Sequence, residues 1–321
     1  MSVLAGVDIG GTKCAVCLGR EAGDGVELIG KRMFPTPSSP EAAIGEFIRK
    51  LDELIAEHGT GLPRAIGISC GGPLDSKAGT ILSPPNLPNW DRIDVVTPLR
   101  ERYGVPVGLQ NDANACALAE WKWGAGKGRA NMIFLTFGTG MGAGLVLNGK
   151  LYSGTNDMAG EVGHVRMEKA GPVGYGKAGS FEGFCSGGGI ARLARDMAEA
   201  RLLAGDKPMF CHNAEALNGI TTKAVAEAAA AGDELALEVF GIVGRKLGRG
   251  LAILVDILNP EIIVIGSIYS RQLGLLEEIT MNELRQEALP LAVDVCRVVP
   301  AALSENIGDL AALSVALNTL S

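Results

Sequence analysis

The sequence lacks the features that mark several classes of protein. Acidic residues outnumber basic ones by 36 to 29, which gives a formal net charge of −7 at pH 7. A nucleic-acid-binding surface normally carries an excess of Lys and Arg. No uninterrupted apolar run reaches the roughly 18 residues that a transmembrane helix needs. The chain also opens directly in strand-like sequence, so no signal peptide is expected. We therefore expect no nucleic-acid partner and no membrane partner.

Disulfide chemistry is also not expected. The seven cysteines are an odd number, and most of them lie inside apolar segments. Such cysteines are typical of reduced, buried thiols in a cytoplasmic protein. Cys14 and Cys17 form a CxxC pattern, but they fall on a predicted strand, where residues three apart point to opposite faces. This pair is therefore not expected to bind a metal or to act as a redox couple.

Two similar glycine-rich segments organise what the sequence does contain. Gly6–Gly19 and Met132–Gly149 each combine an apolar strand, a glycine turn and a second apolar strand. Their repetition about one domain length apart predicts two similar halves that face one another. The 321 residues suit about two domains. Alternating strands and helices predict an α/β fold with mixed sheets, with the site in the cleft between the halves.

The hydrophobic pattern between these segments predicts the remaining elements. Further strands are expected over 26–33, 64–69, 107–110, 261–266 and 293–300. The proline-rich stretch 83–90 is expected to be irregular. Helices are expected over 39–58, 98–103, 111–123, 188–204, 222–231, 233–258, 273–285 and 308–320.

Each chemically suggestive residue has a simpler structural alternative. A two-glycine turn can be an ordinary hairpin, although glycines also let backbone N–H groups approach an anion. Asp8 can be a turn residue that bonds its own backbone. Asp112 can cap the helix that follows it, because Asn and Asp both cap helices well. No GxxxxGK[ST] phosphate loop occurs in the sequence.

Four short motifs follow one another in an order that favours the chemical alternative. They are Asp8–Lys13 (DIGGTK), Asn111–Asn114 (NDAN), Thr136–Gly144 (TFGTGMGAG) and Glu161–His164 (EVGH). Together they resemble the ROK family of sugar kinases, in the hexokinase–actin–Hsp70 ATPase superfamily, over nearly the whole chain. The resemblance implies a two-domain actin-like/ribonuclease H-like ATPase fold with a central cleft. It places a small N-terminal α/β domain at 1–118 plus 303–321, and a large C-terminal α/β domain at 119–302.

The resemblance also implies a reaction. It is the ATP-dependent, Mg²⁺-assisted phosphorylation of a hexose, first of all glucose, at the 6-hydroxyl, by a homodimer or homotetramer. Asp112 would be the general base, and Asp8 would lie near Mg²⁺ through water. The sugar would be bound by Asn86, Asn111, Asp112, Glu161, His164 and Glu182. The nucleotide would be bound by Asp8, Gly10, Gly11, Thr12, Lys13, Thr136, Gly138, Thr139, Gly140 and Gly266.

The sequence departs from the family at its zinc motif. Val173, Tyr175 and Ser180 stand where the family has cysteines, so His164 is the one ligand of that motif left. A structural zinc needs four nitrogen or sulfur ligands, so no structural zinc is expected. Tyr175 and Phe181 are expected to hold this loop instead. A smaller departure is Gly266-Ser267, where the family usually has two glycines.

Other functions remain open. The sugar can be an N-acetylhexosamine or fructose rather than glucose, and a non-catalytic sugar-binding protein is a further alternative. A sugar-responsive repressor would need an N-terminal helix-turn-helix of several tens of residues. The first glycine segment begins at Gly6, which leaves no room for that module and argues against a repressor.

Overall fold

The computed structural model describes residues 3–23, 25–303 and 307–320. Contacts between Cα atoms group the chain into two compact units. The first comprises Met1–Ala130, Gly144–Ala159 and Ala302–Ser321, and the second comprises Asn131–Ala143 and Gly160–Ala301. The mixed α/β class expected from the sequence is confirmed.

The predicted domain boundaries at 118/119 and 302/303 stay a prediction beside this grouping. The contacts add residues 119–130, 144–159 and 302 to the first unit. The first of these segments includes the end of a helix that begins in that unit. Residues 1, 2, 24, 304–306 and 321 of the predicted small domain lie outside the described residues.

A five-stranded sheet with the order β3-β2-β1-β4-β8 forms the centre of the first unit. The first three strands are antiparallel neighbours, whereas β4 is parallel to β1 and β8 is parallel to β4. The carboxyl ends of β1, β4 and β8 therefore lie at one edge of the sheet. The strands are β1 (Val3–Ile9), β2 (Lys13–Ala22), β3 (Gly25–Pro35), β4 (Ile66–Cys70) and β8 (Val107–Asn111).

Helices cover both faces of this sheet. One face packs against α1 (Pro40–His58) and α2 (Val96–Tyr103), and the other against α3 (Asp112–Trp123) and α11 (Ile307–Asn318). A Cβ on Gly67 of β4 would stand 2.1 Å from a carbonyl oxygen of α11, so the missing side chain lets that helix lie directly on the sheet. Cys14 and Cys17 belong to the hydrophobic clusters on opposite faces, as predicted.

Three short strands that the sequence did not predict form a second sheet in this unit. They are β5 (Leu74–Asp75), β6 (Thr80–Leu82) and β7 (Asp91–Asp94), in the order β5-β6-β7. The proline-rich stretch 83–90 is the irregular connection between the last two, as expected.

The second unit has its own sheet, with the strand order β10-β9-β14-β15. The strand β14 is parallel to both of its neighbours. The other end of β10 belongs to the first unit, where it pairs antiparallel with β11. The strands are β9 (Met132–Phe137), β10 (Met141–Leu147), β11 (Lys150–Tyr152), β14 (Ile262–Ile265) and β15 (Arg297–Pro300).

Seven helices belong to the second unit among the described residues. The long helix α7 packs on α9, and two of its glycines, Gly244 and Gly248, allow close contact with that helix. A small hairpin of β12 (Val173–Gly174) and β13 (Lys177–Ala178) precedes the first of these helices. The helices are α4 (Phe181–Phe184), α5 (Gly187–Leu203), α6 (Thr222–Ala230), α7 (Glu234–Leu258), α8 (Ile268–Arg271), α9 (Leu273–Glu287) and α10 (Pro290–Val293).

One predicted element is wrong in part. The strand expected over 293–300 begins only at Arg297, because Pro290 starts a short helix that ends at Val293. Proline suits the first helical position, where its missing N–H is not needed. The amide of Cys296 then bonds the carbonyl of Val293 in a turn. No described helix has the combination of length and apolar composition that a membrane span requires.

Candidate active site

Two carboxylates mark the carboxyl-terminal edge of the central sheet in the first unit. Asp8 is the second-to-last residue of β1, and Asp112 follows the last residue of β8. Both strands run parallel to β4 between them, so their ends meet at the same edge. Ligands of open α/β sheets commonly bind at this edge. The two groups lie close enough for the charge of Asp112 to raise the pKa of Asp8.

Asp112 is not the cap of its helix. The cap is Asn111, whose side-chain oxygen accepts a 2.7 Å hydrogen bond from the Asn114 N–H. Asp112 occupies the first helical position and accepts a 2.8 Å bond from the Ala113 N–H. Its side chain is exposed, although the surrounding protein desolvates the carboxyl enough to raise its pKa, against the lowering effect of that bond. The simple capping alternative is therefore wrong for Asp112.

Asp8 has a strongly perturbed carboxyl group. Burial raises its pKa to about 6, and the negative charges of Asp309 and Asp112 add to the shift. Lys31 and Lys13 oppose it. Lys31 also donates a 2.7 Å hydrogen bond to Asp309 at the start of α11. A divalent cation beside Asp8 would relieve this repulsion, and carboxylate oxygens are the ligands that Mg²⁺ prefers. The donor set therefore fits Mg²⁺.

The first glycine turn is held by contacts from two other segments. The hydroxyl of Thr36 donates a 2.6 Å hydrogen bond to the Gly10 carbonyl, and the Gly10 N–H bonds the Lys13 carbonyl. Gly11 lies against the loop of Asn86, since a Cβ on Gly11 would stand 2.4 Å from the Asn86 carbonyl oxygen. The side chains of Thr12 and Lys13 are exposed at the tip. The structure thus brings the turn and Asn86 together, and it identifies Thr36 as a support that the sequence did not indicate.

The second glycine turn has equivalent supports within the second unit. The Thr136 hydroxyl accepts a 2.9 Å hydrogen bond from the Gly142 N–H, and the Gly138 N–H bonds the Gly140 carbonyl. Glu182 accepts a 3.1 Å bond from the Met141 N–H, and a Cβ on Gly140 would stand 2.9 Å from the same carboxylate oxygen. Thr139 is exposed at the tip of the turn. Glu182, predicted for the sugar, therefore lies directly beside this turn.

The segment Glu161–His164 lies on the same part of the second unit. Val162–His164 forms a single 3₁₀ turn, and Glu161 is exposed. Gly163 is packed so closely that a Cβ there would stand 2.3 Å from the Met141 carbonyl oxygen and 3.2 Å from the Glu182 side chain. The structure therefore places the segment that carries Glu161 and His164 next to Glu182 through Gly163; all three residues were predicted to bind the sugar.

The three positions that carry cysteines in the family make other contacts here. The ring of Tyr175 contacts that of His164 edge-on, with 5.2 Å between centroids. The buried Ser180 hydroxyl caps α4 by accepting a bond from the Gly183 N–H. Val173 is exposed, and Phe181 is buried against Gly250 of α7. Within the described residues, no three His, Cys, Asp or Glu side chains cluster closely enough to hold a metal.

A cavity of about 600 Å³ lies beside the turn that follows β14. It opens between α6 and α8, next to Gly266-Ser267. Hydrogen bonds connect it to the second glycine turn: the Thr222 hydroxyl donates to the Gly187 carbonyl at 2.6 Å, and the Gly187 N–H donates to the Gly138 carbonyl at 2.7 Å. Its size suits a small ligand. The sequence missed this cavity, because its lining residues carry no motif.

Comparisons with known proteins agree with this architecture. A family profile described as "ROK family" matches residues 4–319. A glucokinase of Thermotoga maritima is 34% identical over an alignment of 322 positions, which covers 97% of this chain and 96% of that protein. The chain belongs to the ROK family.

Solved structures of the family share the fold. A ROK family glucokinase from Streptomyces griseus, solved with glucose and AMPPNP, is 30% identical, with a TM-score of 0.73, and the match covers 98% of this chain and 99% of that one. A ROK family transcriptional regulator, described as a homolog of the Escherichia coli MLC protein, is 25% identical, with a TM-score of 0.83, covering 99% of this chain and 78% of that one. The predicted actin-like ATPase fold is therefore confirmed.

Proposed function

We propose that this protein transfers the γ-phosphoryl group of ATP to the 6-hydroxyl of a hexose, with glucose as the first substrate to test. Its similarity to glucokinases over nearly the whole chain supports a sugar kinase. The observation that carries the proposal is the state of Asp112. Asp112 is an exposed residue at the edge of the sheet where ligands of such folds commonly bind, and its carboxylate is not used as the helix cap.

A carboxylate in that state suits general-base catalysis. The sugar hydroxyl must lose its proton as its oxygen attacks phosphorus, and Asp112 would accept that proton. Because the surroundings raise the pKa of Asp112, the ionised carboxylate is a better proton acceptor than an ordinary aspartate. Its place at the first position of α3 gives it a rigid backbone support.

The phosphate groups would be bound by the two glycine turns. In the first unit, backbone N–H groups of Gly11 and Thr12 and the ammonium group of Lys13 suit the outer phosphates. In the second unit, the backbone N–H groups of Thr139 and Gly140 would serve the same purpose, while the Gly138 N–H holds the turn through its bond to the Gly140 carbonyl. Mg²⁺, when bound, neutralises phosphate charge during the transfer. Asp8 would hold it, through water, because Mg²⁺ keeps most of its hydration shell in proteins.

The sugar hydroxyls would be hydrogen-bonded by carboxylate, amide and imidazole side chains. Asn86 and Asn111 belong to the first unit, and Glu161, His164 and Glu182 belong to the second. The side-chain oxygen of Asn111 is already engaged by its capping bond, so its amide NH₂ group would be the donor to sugar. A site built from such groups discriminates strongly, since a missing hydroxyl leaves a buried polar group unpaired.

The adenosine part of ATP would occupy the cavity between α6 and α8. Its volume of about 600 Å³ is sufficient, and its hydrogen-bonded connection to Gly138 supports a common nucleotide site. Gly266, which precedes α8, would lie beside the nucleoside.

Two alternatives deserve a test. One is a kinase for an N-acetylhexosamine or fructose, because side chains that bind hydroxyl groups do not by themselves determine which sugar is the substrate. The other is a non-catalytic sugar-binding protein, which is worth testing because a ROK family transcriptional regulator shares this fold.

A coupled assay of ADP release, run with glucose, mannose, fructose, N-acetylglucosamine and N-acetylmannosamine, separates these functions. We expect ADP release that depends on both sugar and Mg²⁺, greatest with glucose. Reactions without sugar and reactions with EDTA are the controls. Greater turnover of another sugar would reassign the substrate, and absence of sugar-dependent ADP release with any of the five would contradict the kinase proposal.

A further inference from the structure

The turn that carries His164 is short and has little secondary structure of its own. Its internal bonds run from the His164 N–H to the Glu161 carbonyl, at 3.2 Å, and from the Val165 N–H to the Val162 carbonyl, at 3.0 Å. An isolated turn of this length is not stable in water. Its position must therefore come from contacts with other segments of the second unit.

Lys177 supplies such a contact at the end of the turn. Its ammonium group donates a 2.7 Å hydrogen bond to the backbone carbonyl of His164. Both side chains are half-buried, so water competes only partly for this bond. A charged donor makes a stronger hydrogen bond than a neutral one. The ring of Tyr175, two residues before Lys177, contacts the ring of the same histidine.

The hairpin that carries Lys177 is itself firmly attached. A Cβ on Gly174, the partner of Lys177 across the hairpin, would stand 2.5 Å from the backbone of Gly183 in α4. The Gly179 N–H bonds the Pro172 carbonyl at 3.0 Å, and the Gly179 carbonyl accepts from the Glu168 N–H at 3.0 Å. The carboxylate of Glu168 pairs in turn with Lys246 of α7. Lys177 therefore connects the turn to a fixed support rather than to a free loop.

We propose that Lys177 is a positioning residue for the sugar-binding turn Glu161–His164. Its bond to the His164 carbonyl fixes the turn in the position from which Glu161 and His164 contact the sugar. This inference rests on the proposed function for its consequence, the loss of sugar binding. The bond and its effect on the turn can be tested independently.

Hydrogen exchange of the intact protein tests the positioning itself. Lys177→Met keeps the length and the apolar stem of the side chain but removes the donor. Lys177→Arg keeps a charged donor. Lys169→Met, at an exposed lysine in the same loop, is the matched control. We expect amides of a peptide spanning 162–165 to exchange about tenfold faster in Lys177→Met, with the control unchanged.

Steady-state kinetics test the consequence. We expect Lys177→Met to raise the KM for the sugar about five- to tenfold while the KM for ATP stays within about twofold. We expect Lys177→Arg to recover most of the sugar affinity. A general loss of folding would instead lower the active fraction without separating the two KM values, and circular dichroism with thermal unfolding detects it.

A negative result in the kinetics and a negative result in the hydrogen exchange have different meanings. If no sugar is phosphorylated by the wild-type protein, the proposed function fails, and the exchange rates still decide whether Lys177 positions the turn. Equal exchange at 162–165 in Lys177→Met and Lys169→Met would overturn the proposal. So would a sugar KM in Lys177→Met that matches the control, or a failure of Lys177→Arg to recover sugar affinity.

Discussion

Gly11 is the point at which the first glycine turn meets the loop of Asn86. A methyl group added to Gly11 would stand 2.4 Å from the Asn86 carbonyl oxygen, whereas ordinary van der Waals contact begins at 3.4 Å. The turn or the loop must therefore move by about 1 Å. The loop resists movement, because three of its residues are prolines with fixed φ angles: Pro84, Pro85 and Pro88.

Such a movement would displace groups proposed to bind both phosphate and sugar. Misplacing reacting groups by about 1 Å can lower a rate by about 100-fold. We therefore expect Gly11→Ala to lower kcat/KM by about 10- to 100-fold. Overpacking of this kind also destabilises a protein by about 1–3 kcal/mol.

Gly25→Ala is the matched control, because Gly25, the first residue of β3, pairs with Ala22 at the far end of β2, and a Cβ there meets no atom within 4 Å. The assay is coupled ADP release over a range of sugar and ATP concentrations, with thermal unfolding of each variant. If the kcat/KM of Gly11→Ala stayed within about twofold of that of Gly25→Ala, the reasoning would be refuted.

Three further predictions concern protonation, thiols and metal. The raised pKa of Asp112 places the acid limb of kcat/KM above the ordinary aspartate range near pH 4, since activity falls as the base is protonated; a limb at or below pH 4 would contradict it. Burial raises the pKa values of Cys17, Cys70 and Cys185. The native protein should therefore leave these thiols unmodified by iodoacetamide at neutral pH, and the unfolded protein should react; modification at equal rates would contradict it. Elemental analysis of purified protein should find no stoichiometric zinc, and one zinc per chain would overturn the expectation from the missing cysteines.

Elements with a clear hydrophobic period were predicted well. The helix expected over 39–58 is α1, Pro40–His58, with Ser39 as its cap. Ser39 and Pro40 are the standard signals for a helix start, and the apolar spacing that follows is one-sided. Local sequence was sufficient here because cap, proline and core face all favour the same element.

Short elements depend on distant contacts and were missed. The strands β5, β6 and β7 have two to four residues each. The hairpin of β12 and β13 has two residues in each strand. Such strands exist because they pair with one another and pack on neighbouring segments, and neither condition appears in a window of local sequence.

The residues of the candidate site also fall into two groups, those that the sequence predicted and those that it missed. The sequence motifs identified Asp8, Asp112 and the two glycine turns. The two aspartates are recognisable by their carboxylate side chains, and the turns by the backbone freedom of their glycines. The residues that hold the site in place belong to no sequence motif. Thr36 is 26 residues from the Gly10 carbonyl that it bonds, and Lys177 is 13 residues from His164. Only the folded chain reveals such partners.

A single hydrogen bond at the start of α3 decides whether Asp112 is the cap of that helix. The sequence left Asp112 as a candidate for the cap, although Asn and Asp cap helices about equally well by residue type. The backbone places the side-chain oxygen of Asn111 on the Asn114 N–H, which leaves the next carboxylate for another purpose. The sequence could not distinguish the two, because the outcome depends on where β8 ends.

Single-turnover kinetics of Asp112→Asn, measured beside sugar binding by calorimetry, test the central claim most directly. Asp196→Asn, an exposed helical aspartate, is the control. Asparagine keeps the size of the side chain but cannot accept the hydroxyl proton. The account predicts a rate of phosphoryl transfer lower by at least about 100-fold, with the sugar Kd within about threefold of that of the control. A rate equal to that of Asp196→Asn, with sugar bound normally, would contradict the assignment of Asp112 as the base.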